Sequence, residues 1–458
     1  MIRFPWSFVR LGMGRYTRVL SIVALAGVVA AATLLGAHRA SAVATLRSAL
    51  APDPRVVHYR YPVGPARIAP IDDLNETIAI LEKRIADPVP SPMEMADLAD
   101  LYLKRAQIAA DPADYARSEA VAKRSLAALR YPSSAPLTLA KLASAHHEFH
   151  SAIALAREVL THSKSPGALG VLTSSYLALG ELDHASEAAE WAVGVKPDTA
   201  GYLMRALVFQ AQGRDAEAAF DFAHAAEVEV AGDPEDAARL RTLWARFLLR
   251  RGEWAGAETL LTEALRIAPE YPLAVAHQGE LALRTGQPKH AKDLFERAFV
   301  TSRQVRYLID EARAQELAGD AAGATSTRTQ VERLVRTELR DNGLGHRLDL
   351  VEILVDRGTP ADITEAIELA AAEVTARPSV ETRFQQARAL AAGGNRREAL
   401  DAVRAALATG AREARLYELA ARLERAHGNA QRAELYAGEA ARLDPGNAGW
   451  RSLGLRIP

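Results

Sequence analysis

Three histidines and one glutamate lie within five residues, in the segment His146-His147-Glu148-Phe149-His150. Imidazole nitrogens and carboxylates are common ligands of zinc and other divalent metals. His147 and His150 are three residues apart, so a helix would place both on one face. The order of residues is not H-E-x-x-H, and no nearby side chain completes a set of ligands. A polar turn is the leading interpretation, and an enzyme or metal-binding protein that uses this cluster is an alternative.

No other segment carries a recognisable catalytic or nucleotide-binding signature. The chain contains no cysteine, which excludes disulfides, thiolate metal sites and a cysteine nucleophile. The patterns G-x-S-x-G, G-x-x-x-x-G-K-[ST] and G-x-G-x-x-G are absent. We predict that the protein is not an enzyme and uses no cofactor.

Composition favours a helical protein with an uneven charge distribution. The 458 residues are 49% hydrophobic and only 6% aromatic. Alanine and leucine supply most of the apolar content, which favours closely packed helices over a β core. Residues 1–42 hold five arginines and no acid, so the remainder has 51 basic and 57 acidic residues and a net charge of −6. This balance predicts that the chain does not bind nucleic acid.

An uncharged stretch at residues 19–37 follows the arginine-bearing N-terminal segment. At ~1.5 Å per residue it nearly spans a hydrocarbon core of ~30 Å. Ala40-Ser41-Ala42 fits the small-x-small pattern of signal cleavage. Residues 1–44 are therefore predicted to be a cleaved signal peptide or, if uncleaved, a membrane anchor, with a buried core helix as a third interpretation. Either of the first two places residues 45–458 in the periplasm, outside the cell, or anchored to the inner membrane with the body outside the cytoplasm.

Residues 45–94 contain eight prolines, which interrupt regular structure. Between the prolines, residues 72–86 have a helical pattern, with Leu74, Ile78 and Leu81 on one face. We predict a proline-rich tether that contains one helix.

From residue 95 onward, the sequence repeats a pattern of two short amphipathic helices. In the clearest unit, Leu169, Leu172 and Tyr176 fall at helical spacing, Gly180 follows, and Ala185 begins a stripe of small residues. A single helical hairpin cannot bury its own apolar face, so it must stack on copies of itself.

Glycines recur at the predicted turn of each unit, at separations of 33, 39, 34, 33, 39, 36 and 34 residues. A tight turn after a helix needs positive φ, which glycine adopts readily. Five residues after most of these glycines lies an alanine, where a larger side chain would push neighbouring helices apart. In an earlier, weaker unit His147 occupies the turn position. The glycines are Gly180, Gly213, Gly252, Gly286, Gly319, Gly358, Gly394 and Gly428, and the alanines are Ala185, Ala218, Ala257, Ala291, Ala324, Ala399 and Ala433.

This spacing of tyrosine, glycine, alanine and closing proline resembles the tetratricopeptide (TPR) family, whose period is ~34 residues. A related helical repeat with a period near 40 is the runner-up. The resemblance implies an all-α, right-handed superhelical solenoid of about ten hairpins over residues 95–447. The W-x-x-L-G pattern that opens a TPR first helix occurs once more at Trp450. We therefore predict that residues 448–458 are a truncated half-repeat that caps the array.

In TPR arrays the first helices line a concave groove that receives a peptide. The resemblance therefore implies a partner-binding groove on which arginine outnumbers acid. Guanidinium groups bind carboxylates bidentately, which predicts a protein or peptide partner with acidic groups; in the alternative, the arginines only solubilise the groove. We expect Arg246 and Arg313 to be largely exposed. The groove candidates are Leu203, Leu207, Arg246, Arg250, Glu280, Arg284, Arg313, Arg388 and Arg422, and Glu352 also faces inward.

The function predicted from these features is an exported bacterial scaffold for protein–protein interaction. Assembly or chaperoning of an envelope, secretion or polysaccharide-export system would suit such a scaffold. A membrane-bound regulator whose repeats face the cytoplasm is a further alternative.

Overall fold

The computed structural model of the chain describes residues 52–63, 70–109, 111–131, 133–342 and 347–445. Within these ranges it contains 22 helices and no strand. The predicted signal or anchor at residues 1–44 and the predicted cap at residues 448–458 lie outside them. The helices are α1 Pro54–Val57, α2 Pro70–Ile85, α3 Pro92–Ala109, α4 Pro112–Ala128, α5 Ala135–Ala145, α6 Phe149–His162, α7 Pro166–Leu179, α8 Leu182–Val195, α9 Thr199–Ala211, α10 Asp215–Glu227, α11 Pro234–Arg250, α12 Trp254–Ile267, α13 Pro272–Arg284, α14 Pro288–Ser302, α15 Val305–Leu317, α16 Ala321–Asn342, α17 Arg347–Arg357, α18 Pro360–Ala376, α19 Val380–Ala392, α20 Arg396–Leu407, α21 Ala414–Ala426 and α22 Ala430–Leu443.

Helices α3 to α22 pack in sequence order as ten hairpins, from α3 with α4 to α21 with α22. Each first helix also packs against the first helix of the next hairpin along most of the array. This stacking buries the apolar face that a hairpin cannot cover alone. The predicted all-α solenoid of about ten hairpins is confirmed.

Local signals set the ends of the helices, as α7 illustrates. The Ser165 side chain accepts a hydrogen bond from the Ala168 N–H, and Pro166 occupies the first turn. Such an N-cap stabilises a helix by about 1 kcal/mol. At the other end Gly180 has a φ of 79°, and the next N–H, that of Glu181, donates to the Tyr176 carbonyl. The chain can therefore reverse at once into α8.

The predicted turn and packing positions are confirmed throughout the array. All eight turn glycines have positive φ, and His147, in the place of a glycine, has a φ of 60°. The seven alanines five residues after the turns are fully buried. Because these alanines have no further side-chain atoms, paired helices can approach closely there.

The described part of the predicted tether packs on the array. Helix α2 packs against α3, and Ile78 is buried between them. Residues 54–61 lie against α10, α11 and α12, with Val57 and Tyr59 buried. Prolines predict breaks in regular structure, but they do not predict whether the broken segment is docked.

The hairpins that contain α20 and α21 contact the turns of repeats in the middle of the array. The Arg412 N–H, before α21, donates to the Ala211 carbonyl at the end of α9, over 3.1 Å. A Cβ added at Gly180 would lie 2.5 Å from the Cβ of Thr409, so backbone and side chain meet closely there. The array thus closes on itself through contacts about 200 residues apart. Within the described ranges, no helix combines the length and apolar character needed to cross a membrane.

Candidate functional site

The first helices α15, α17 and α19 bring two of the predicted groove arginines and Glu352 together on one wall. On this wall Arg313 of α15 and Arg388 of α19 both reach Glu352 of α17. Arg388 also forms a 2.8 Å ion pair with Asp356, and Arg306 binds Glu352 over 2.7 Å. The register taken from the sequence therefore places these residues side by side.

The charges on this wall are satisfied within the chain. The side chains of Arg313, Glu352 and Arg388 are each no more than 6% exposed. Burial alone would raise the pKa of Glu352, but the charges of the three arginines hold that pKa well below its usual range. The expectation that Arg313 is largely exposed is wrong, because the opposite charges come from neighbouring repeats and not from a partner.

A second buried cluster joins the middle of the array to its C-terminal end. The Arg284 guanidinium donates to both oxygens of Asp444 over 2.8 and 3.0 Å and to Glu280 of the same helix over 2.9 Å. Its side chain is fully buried. Burial alone would lower the pKa of Arg284, yet the hydrogen bonds that it donates to Asp444 and the charges of the two carboxylates raise that pKa above its usual value. The acidic group predicted for a partner is here supplied by the chain itself.

Arg251 makes further contacts between the middle of the array and α22. It donates to both carboxylate oxygens of Asp215 over 2.8 and 2.6 Å, and its remaining group donates to the Leu443 carbonyl at the end of α22. We call the set of Asp215, Arg251, Glu280, Arg284 and Asp444 the clasp. Sequence reasoning missed Asp215, Arg251 and Asp444, since their partners are 36 to 192 residues away and no local pattern marks them.

The remaining groove candidates differ in exposure. Leu203 belongs to the core, and Leu207, Arg246, Arg250 and Arg422 are half-buried. The expectation of a largely exposed Arg246 is therefore also wrong, since neighbouring helices cover part of its side chain. A binding role for these residues stays a prediction.

An accessible cleft remains where the last hairpin meets the middle of the array. It holds about 480 Å³ of space, part of it open solvent. Arg412 on its rim is exposed and pairs with Glu439 over 2.8 Å, and Arg415 pairs with Glu413 over 2.7 Å. The lining residues are Gln210, Arg250, Arg251, Arg412, Glu413, Ala414, Arg415, Glu418, Leu443 and Asp444.

The histidine cluster forms a turn between α5 and α6. The His146 ring lies 5.6 Å from the Tyr115 ring, and His147 stacks on Phe149 at the same centroid distance. His147 and His150 are both exposed. In the described part of the chain there is no group of three or more histidine, cysteine or acidic side chains arranged to hold a metal ion.

No family model matches the chain, and no curated protein matches its sequence. Among solved structures, the chain is similar to a human IFIT1 dimer with PPP-AAAA, at 16% identity over 82% of this chain and 96% of that one, with a TM-score of 0.45. It is similar to yeast Tom70 at 12% identity over 84% and 92% of the two chains, with a TM-score of 0.40. For PilW, a type IV pilus biogenesis factor, the values are 20% identity, 43% and 91% coverage, and a TM-score of 0.36.

Because identities this low concern the fold at most, the assignment rests on the chain's own repeats. Ten hairpins stack in order, positive-φ residues occupy nine of their turns, and seven buried alanines lie where paired helices approach closely. By these features, the chain has the fold of an all-α solenoid of TPR-like helical hairpins.

Proposed function

We propose that the protein is an interaction scaffold that binds a protein partner at the cleft beside the clasp. The observation that carries this proposal is the cleft itself. On the groove wall, the side chains of Arg313, Glu352 and Arg388 are almost fully buried. At the cleft, the Arg412 side chain pairs with Glu439 but remains 44% exposed. A binding surface needs accessible groups, so the cleft suits a partner better than the buried wall does.

The cleft favours an acidic segment of the partner. Arginines outnumber carboxylates among its lining residues, and the Asp444 carboxylate is bound to Arg284. An exposed guanidinium in a partly enclosed cleft binds a carboxylate through charge-assisted hydrogen bonds. We do not propose nucleic acid as a partner, because the chain after residue 42 carries a net charge of −6.

Reversing the charge of Arg412 tests this proposal. The partner is first identified by crosslinking the native protein and analysing what co-purifies. We expect Arg412→Glu to reduce recovery of that partner several-fold, because the glutamate would repel an acidic segment. The fold should change by less than ~1 kcal/mol, since the exposed pair with Glu439 contributes little.

Arg297→Glu is the matched control, because Arg297 is 52% exposed, pairs with Glu270 over 3.3 Å and lies on α14, away from the cleft lining. Both variants change the net charge equally. Equal recovery of the partner by the two variants and the native protein would show that the cleft is not the binding surface.

We further propose that the scaffold is exported and serves the assembly or chaperoning of an envelope, secretion or polysaccharide-export system. The support is the uncharged stretch at residues 19–37 behind an arginine-bearing segment. A fusion of residues 1–60 to a reporter that is active only outside the cytoplasm should give a signal. A silent reporter in cells that contain intact fusion protein would contradict export.

A further inference from the structure

Residues 54–61 are bound to the array by groups that the array itself holds in position. Arg241 of α11 is fully buried and donates to both oxygens of Glu229 over 3.1 and 3.0 Å and to the Ala237 carbonyl over 3.0 Å. Its Nε donates to the Val57 carbonyl over 2.7 Å. Three of the four hydrogen bonds of this guanidinium are made within the array, so the array alone holds it in position. The Val57 carbonyl accepts the fourth.

A second pair of side chains, bound to each other within the array, contacts both the N–H and the carbonyl of Tyr59. Arg266 of α12 binds both oxygens of Glu263 over 2.7 Å. Glu263 accepts a 2.7 Å hydrogen bond from the Tyr59 N–H, and Arg266 donates to the Tyr59 carbonyl over 3.3 Å. Binding through N–H and C=O groups is the way in which proteins hold extended peptides.

From Val57 to Arg60, side chains alternate between buried and exposed, as in a bound peptide. Val57 and Tyr59 are 3% and 4% exposed, whereas His58 and Arg60 are exposed. At the edge of the site, His58 Nδ1 lies 3.2 Å from Glu263, and Arg60 donates to the Glu227 carbonyl over 2.6 Å. The guanidinium of Arg241 lies 5.4 Å from the centre of the Tyr59 ring, within the range of a cation–π interaction. The buried side chains of Val57 and Tyr59 thus supply the apolar contacts. The backbone and the Tyr61 hydroxyl, which donates to the Glu229 carbonyl over 3.0 Å, supply polar contacts.

We propose that the face formed by Glu229, Arg241, Glu263 and Arg266 is a peptide-binding site, and that residues 54–61 are its resident, displaceable ligand. The site takes a segment whose short helical turn ends at an aliphatic residue and which continues in extended conformation to a tyrosine two positions later. Because the resident segment belongs to the same chain, its effective concentration is high and it occludes the site. This inference is independent of the cleft and of export.

The test uses the full chain and a fluorescein-labelled synthetic peptide of residues 52–63, with binding followed by fluorescence polarisation. Val57→Ala combined with Tyr59→Ala weakens the resident segment and leaves the array unchanged. We expect this variant to bind the peptide at least about tenfold more tightly than the native chain does, since a tethered ligand at millimolar effective concentration no longer competes.

The control peptide carries alanine at the positions of Val57 and Tyr59, and it should not bind either protein. Tyr59→Ala alone serves as a second variant with an intermediate expected affinity, and circular dichroism verifies that both variants are folded. Equal affinity of native and doubly substituted chains for the peptide would overturn the proposal. So would equal binding of the natural and control peptides.

Discussion

Replacing Glu352 by glutamine is expected to lower the free energy of unfolding by about 3–5 kcal/mol, the usual cost of removing one partner from a buried ion pair. Arg313 and Arg388 approach Glu352 from the two neighbouring first helices, and both side chains are almost fully buried. The substitution leaves Asp356 facing both guanidinium groups. Urea denaturation followed by circular dichroism measures the loss.

The pH dependence of this effect has a defined sign. The arginines hold the pKa of Glu352 below its ordinary value of 4.5, so its contribution to stability is complete above that pH. The contribution is lost as the pH falls through the folded-state pKa. The difference between native protein and Glu352→Gln should therefore be constant near neutral pH and shrink only in acid.

Glu270→Gln is the control, because Glu270 is 63% exposed and pairs with Arg297 at 3.3 Å. We expect this change to alter the free energy of unfolding by less than ~1 kcal/mol. A similarly small effect of Glu352→Gln would contradict the description of the groove wall as an internally neutralised network.

Replacing Arg284 by methionine is expected to lower the free energy of unfolding by about 2–4 kcal/mol. The change leaves the carboxylates of Glu280 and Asp444 without the guanidinium that binds both. We expect a loss in the lower part of the range for broken buried pairs, since Asp444 lies just after α22 rather than within it and can move towards water. Denaturation of Arg284→Met, Asp444→Asn and the double variant gives the coupling free energy.

That coupling should exceed ~1 kcal/mol, because the two side chains are in direct contact. The exposed i,i+4 pair of Lys292 and Glu296, treated in the same way with Lys292→Met and Glu296→Gln, should give about 0.2–0.5 kcal/mol. Coupling of equal size in the two pairs would mean that the clasp does not hold the C-terminal end.

The fold could be predicted because its signals are local. A glycine such as Gly213 marks a turn through its own backbone requirement, and Ala218 marks the contact that follows five residues later. These requirements act within one hairpin, so they recur at the period of the repeat. Even His147, which breaks the glycine pattern, adopts the positive φ that its position in the register predicts.

The state of the groove could not be predicted, because it depends on pairing between distant repeats. The register placed Arg313, Glu352 and Arg388 on the inward face, but it did not show that their side chains meet. The opposite charges on adjacent first helices were the available signal. No such signal exists for Arg284 and Asp444, which are 160 residues apart and meet only because the array closes.

Closure of the array is tested most directly by a disulfide between a middle turn and the last hairpin. A Cβ at Gly213 would lie 3.7 Å from the Cβ of Arg412, close to the ~3.8 Å that disulfides favour. The chain has no cysteine of its own, so Gly213→Cys with Arg412→Cys gives a single pair. Gly286→Cys with Arg412→Cys is the control, since Gly286 has the same positive φ and nothing lies within 4 Å of its Cβ position.

Mild oxidation of the two double-cysteine proteins, followed by electrophoresis without reductant, measures the cross-link. Closure predicts rapid intramolecular cross-linking of residues 213 and 412, which are 199 positions apart in the sequence, and none between 286 and 412. Failure of the first pair to cross-link, or equal cross-linking of both pairs, would contradict a solenoid that closes on its own middle repeats.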